Sequence, residues 1–122
     1  MTERFLTKKE MEIMTILWGC DISVTASQIA DLGEELSIYT VQQVLQRLLK
    51  ANFIEVAGIS YSGKALARFY KASVTDIDYI RSILGNEKLL EFAATLVKED
   101  ENDEELAELE RIIKQRRKEL RA

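Results

Sequence analysis

Three glutamines, an arginine and a lysine crowd one side of the segment between Ser37 and Asn52. Gln42, Gln43, Gln46, Arg47 and Lys50 recur at helical spacing, with Tyr39 and Thr40 one turn ahead. The chemistry open to such a set is hydrogen bonding to a polyanion. A glutamine amide pairs bidentately with adenine, and an arginine pairs with guanine. Most polar helix faces are plain solvated surface. This one differs in carrying no acid from Ile38 to Asn52. DNA contact is therefore preferred over the solvated-face reading. Downstream, Ser60-Tyr61-Ser62-Gly63-Lys64 offers hydroxyls, backbone amides and a lysine. These are usual phosphate partners, with Ser62 and Lys64 as candidates, although the stretch by itself could be an ordinary loop. Arg68 reads as a surface strand residue or a support for that hairpin.

Other chemistry is poorly served. The chain has no histidine and one cysteine, Cys20. A His-based triad or a Cys-His pair is impossible. A structural zinc site and any intramolecular disulfide are likewise unsupported. No cofactor, metal site or catalytic activity is expected. No apolar run approaches the roughly 18 residues of a membrane helix, and no signal-peptide core follows Met1, so a cytoplasmic protein is expected.

The net charge of −4 is unevenly spread. Residues 1–72 hold eight basic and eight acidic side chains, whereas residues 73–122 hold nine against thirteen. Local field matters more to DNA than total charge, though only weak non-specific affinity is expected.

The elements that must position these residues are legible in outline. Thr7-Lys8-Lys9-Glu10 forms a capping box for a helix expected to bury Met11, Met14, Leu17 and Trp18. Ile22-Ser23-Val24 suits a short strand. Thr25-Ala26-Ser27-Gln28 is a second capping box, before a helix expected to present Ile29, Leu32 and Leu36 to the core. Ser37 caps a third helix, running to about Ala51, with Val41, Val44, Leu45, Leu48 and Leu49 on its apolar face. Asn52 ends it, since Asn tolerates the left-handed conformation. Residues 53–57 and 66–72 alternate as two strands joined through Ser62-Gly63-Lys64. Helix, turn, helix and basic hairpin in this order make a winged helix-turn-helix.

Past Ser73 the β character disappears. The spacing predicts helices after Thr75-Asp76, after Gly85-Asn86 and beyond the acidic stretch 99–103. Each is apolar along one stripe only. Pairing with a second copy would bury Ile77, Ile80, Ile83, Leu90, Leu96, Leu106, Leu109 and Ile113. The expected fold is thus mainly α with a small β-hairpin. A winged-helix DNA-binding domain over 1–73 precedes a helical dimerisation region over 74–122.

Several stretches also resemble the penicillinase-repressor family, of the BlaI, MecI and CopY type. They are Leu6 through Met14 with Leu17-Trp18, Thr40-Val41-Gln42 through Arg47-Leu48, and Gly63-Lys64 leading to Phe69-Tyr70. The likeness spans about residues 5–98, and the last helix in outline. It implies a dimeric repressor on an inverted-repeat operator, read by Tyr39, Thr40, Gln42, Gln43 and Arg47, with Lys64 as the wing contact. The copper-responsive branch ends in a cysteine-rich metal tail, whereas this chain ends Lys118-Glu119-Leu120-Arg121-Ala122. The antibiotic-responsive branch is cut at an Asn-Phe pair, and Phe92 through Leu96 lacks one. Ala72 stands where a proline is common.

The expected function is a DNA-binding repressor acting on double-stranded DNA as a homodimer. An inducer, an inactivating protease or oxidation of Cys20 would release it. The rival is a winged-helix module that binds protein without specific DNA binding.

Overall fold

The computed structural model describes residues 5–122. Three helices come first: α1 (Lys8–Trp18), α2 (Ala26–Leu32) and α3 (Ile38–Lys50). A hairpin of β1 (Ile54–Ser62) and β2 (Ala65–Ala72) follows, then α4 (Asp76–Leu84), α5 (Asn86–Glu99) and α6 (Asp103–Arg121). The polypeptide divides into two compact units, one up to Ile83 and one from Leu84 onward.

Both expected capping boxes are present. The Thr7 and Thr25 hydroxyls accept from the amides of Glu10 and Gln28, whose side chains bond back to the cap amides. Ser37 caps α3 by accepting from the Thr40 amide. Each cap satisfies helix-start donors that would otherwise lack a partner, and so fixes where the helix begins. At the far end of α3, Asn52 takes φ +62° and turns the chain into β1.

The core of the first unit lies where α1, α2 and α3 meet the base of the hairpin. Ile13, Met14, Ile29, Val41, Val44, Leu45, Leu48 and Phe53 are nearly or fully sealed from solvent. Two expectations fail here. Met11 is exposed, because α1 turns Ile13, Met14 and Leu17 inward instead. Leu32 is exposed as well, because α2 stops there with Gly33 as its C-cap. Leu36 packs from the following loop. Residues 22–24 form only a single bridge, with Val24 and Tyr70 exchanging backbone hydrogen bonds of 3.0 and 2.7 Å.

The hairpin is longer than its sequence signal. Its strands pair antiparallel from Ile54↔Ala72 to Ser62↔Ala65, with a bulge between Val56 and Gly58. Gly63 and Lys64 alone make the turn. Gly63 has φ +68°, a conformation open to glycine at the first central position of a type II′ hairpin.

α4 is anchored to the first unit by Tyr79. Its ring is buried against Phe53 and Trp18, with centroids 5.9 and 6.0 Å away. Its hydroxyl accepts the Leu6 amide at 3.0 Å. The Trp18 indole donates to the Val74 carbonyl at 2.8 Å, which holds the chain entering α4.

In the second unit neither α5 nor α6 buries any residue. Asn102 caps α6, which opens on Asp103, Glu104 and Glu105 and closes on Lys118 and Arg121. That order suits the helix dipole. Along its length Arg111 donates twice to Glu108, at 2.9 and 2.6 Å. This hydrogen bonding, reinforced by the guanidinium charge, holds the Glu108 carboxyl below its ordinary range.

Candidate nucleic-acid interface

The polar side of α3 faces away from the core. Val41, Val44, Leu45 and Leu48 are buried, while Tyr39, Gln42, Gln43, Gln46, Arg47 and Lys50 are exposed. Thr40 is half-buried beside its cap, where the Ser37 hydroxyl donates to it at 3.0 Å. The division follows from the 3.6-residue period. Val41, Val44, Leu45 and Leu48 take the stripe that the core covers, and the glutamines, Arg47 and Lys50 are left outward.

The outward residues do not form one uniform row. Gln42, Gln43 and Gln46 line an open groove of about 450 Å³ together with Arg68 and Tyr70 of β2. Arg47 lies on the flank toward α1. Its Nε donates to Oε2 of Glu10 at 3.3 Å. Glu10 is only 1% exposed, and its Oε1 accepts the Thr7 amide at 2.9 Å. One carboxylate therefore caps α1 and holds a side chain of α3. Arg47 keeps half of its side-chain surface in solvent.

At the wing tip, Lys64 is exposed and carries no ion pair among the described residues. Ser62 ends β1 opposite Ala65, one residue before the turn. The register sets the two faces of the hairpin. Ile54, Ile59 and Tyr61 stand opposite Ala72, Arg68 and Leu66, on the face that carries Tyr70. Glu55 and Lys71 occupy the other face and pair at 3.4 Å. Near the tip Ile59, Tyr61 and Leu66 are exposed.

Among the described residues no cluster of Cys, Asp and Glu side chains is arranged to hold a metal ion. No helix there is long and apolar enough to cross a membrane.

α3 thus turns outward a face without acids, beside a wing with a lysine at its tip. A family model described as penicillinase repressor matches residues 6–115. The chain belongs to the penicillinase repressor family. This penicillinase-repressor relative is accordingly a DNA-binding transcriptional regulator, in a family of regulators and not of enzymes. No curated protein matches it significantly. Among solved structures, a point mutant of ZitR from Lactococcus lactis is 19% identical, with a TM-score of 0.49 over 98% of this chain and 79% of that one. The adhesin competence repressor AdcR from Streptococcus pyogenes is 14% identical, with a TM-score of 0.44 over 96% and 82%. Both likenesses are loose, and the family assignment stands without them.

Of the apolar residues expected to pair two copies, Ile77, Ile80, Leu90, Leu96, Leu109 and Ile113 are exposed in the single chain. Leu106 is half-buried, and Ile83 packs partly against the first unit's core. Sequence reasoning missed the role of Glu10. Only the capping-box pattern singled it out, and nothing local signals a partner 37 residues away. Tyr79 was missed too, because it falls between the isoleucines of the exposed stripe.

Proposed function

We propose that this regulator is a cytoplasmic repressor that binds an inverted-repeat operator as a homodimer. The two α3 helices enter successive major grooves about one helical turn apart. Gln42, Gln43, Gln46 and Arg47 meet base edges, and Tyr39, Thr40, Lys50, Ser62 and Lys64 meet the backbone. The observation that carries this reading is the outward face of α3. It presents amides and cations with no carboxylate, next to a wing whose tip lysine holds no ion pair among the described residues. Pairing of two copies is supported by the exposed stripes of α5 and α6. Leu90, Phe92, Leu96, Ile112, Ile113 and Leu120 all stand in solvent in one chain, more apolar surface than a lone helical appendage leaves open.

The test is binding to duplex DNA from upstream of the protein's own gene, with scrambled competitor, across a salt series. Specific binding at a stoichiometry of two chains per site, weakening steeply with salt, is expected. Absence of binding to any duplex at low salt would overturn the reading in favour of a protein-binding winged helix.

A further inference from the structure

We infer that the groove between α3 and β2 is a clamp for one DNA phosphate, with Arg68 as its principal donor. The inference rests on the DNA-binding reading above and assigns a role to a residue outside the expected contact set.

Placement comes first. Arg68 lies two residues from Tyr70 on the same face of β2, and Tyr70 is buried against the body of the domain. The hairpin therefore turns Arg68 to the side where α3 stands. Gln42, Gln43 and Gln46 line the opposite wall of the same groove.

Pairing comes second. Arg47, Arg81, Arg111 and Arg116 each hold a carboxylate, on Glu10, Asp78, Glu108 and Glu119. Arg68 holds none among the described residues. Its hairpin contains one acid, Glu55, which is on the opposite face and engaged by Lys71. Arg117 and Arg121 of α6 also hold none among the described residues, but Arg68 is the one of the three that lines a groove, and there it is left for an external anion.

The donor set selects the anion. A guanidinium offers five N–H donors and no acceptor. Among the described residues no carboxylate lines the groove. Planar, forked donors match the oxygens of a phosphate bidentately. Geometry then favours a phosphate of the duplex. With α3 in the major groove and the wing beside it, the sugar–phosphate strand bounding that groove runs between helix and wing. A phosphate held there fixes the register in which the glutamines meet the bases.

The test measures affinity of the full-length protein for operator and scrambled duplexes across a salt series, for wild type, Arg68→Ala and Arg68→Lys. Arg68→Ala should weaken both duplexes by the same factor and reduce the slope of log affinity against log salt by about one per bound protomer. Arg68→Lys should keep the wild-type slope. Thermal melting of Arg68→Ala should match wild type, and Arg68→Gln carries the same binding expectation should the alanine variant unfold. An unchanged slope overturns the clamp and leaves the regulator reading intact, and so does a loss confined to the operator, which marks base reading instead. Failure of the wild type to bind any duplex overturns both.

Discussion

Arg47 of α3 is tied to Glu10 of α1 by a 3.3 Å charge-assisted hydrogen bond, and Glu10 is almost completely buried. The contact joins two elements 37 positions apart, and it ties the position of a side chain of α3 to a residue sealed inside the domain. A carboxylate held inside a protein needs its hydrogen-bond donors, because unpaired burial of such a charge costs several kcal/mol.

Arg47→Ala should act twice. Loss of a donor to Glu10 should destabilise the fold by about 1–3 kcal/mol in denaturant unfolding. Operator binding should weaken by about 1–3 kcal/mol, with relaxed preference at one base position. Glu10→Gln provides the control, since it should lower stability and operator affinity without changing which bases are preferred. A shift in base preference in Glu10→Gln would contradict the division of roles.

Alanine at Gln42, Gln43 or Gln46 should cost discrimination more than total affinity. About 1–3 kcal/mol of preference for the cognate base is expected to vanish at each contacted position. A panel of single-base operator variants read by competition shows this directly. Equal losses on all duplexes would mean that the amides meet only the backbone.

Lys64 is exposed at the turn and should behave as a point charge. Lys64→Ala should weaken operator and scrambled duplexes alike and lower the salt slope by about one per protomer. A sequence-selective loss would move the wing tip from the backbone to a groove edge.

Tyr79→Phe removes the hydroxyl that accepts the Leu6 amide but keeps the ring between Trp18 and Phe53. The expected cost is about 0.5–1.5 kcal/mol in chemical denaturation. No change at all would show that water takes over the Leu6 amide at no cost.

Placing Asp at Leu90 or Ile113 puts a charge on stripes that now stand in solvent. Monomer melting should hardly move, while dimer mass in sedimentation should fall together with operator affinity. A variant that stays dimeric at wild-type affinity would remove α5 and α6 from the pairing surface.

The parts of the fold legible in the sequence are those governed by short-range rules. Thr7 with Glu10, and Thr25 with Gln28, mark helix starts because a cap needs only partners three residues away. The apolar stripe of α3 follows from the period of the helix. Gly63 announces the turn, since the conformation there excludes most side chains. What escaped depends on distant partners. Leu32 has the right spacing for burial, yet α2 ends at it. Met11 is apolar but on the outer side of α1. Arg68 looks like any surface residue until the register of β2 sets it across from the glutamines of α3. The bulge at Val56–Gly58, which alternation along β1 does not reveal, sets Ile59 and not Gly58 opposite it.

The anchoring of α4 by Tyr79 bears on avidity. α4 is fastened to the first unit, and Gly85, with φ +81°, follows its last residue, Leu84, where the second unit begins. For a protein paired through α5 and α6, two heads share one tether, so binding of the first raises the effective concentration of the second at its half-site. Such linkage multiplies affinity by about 10²–10⁴ without a new contact. Severing the chain near Gly85 should leave the core of the first unit intact, with each copy alone. Occupancy of the operator would then collapse although every DNA-facing residue remained in place.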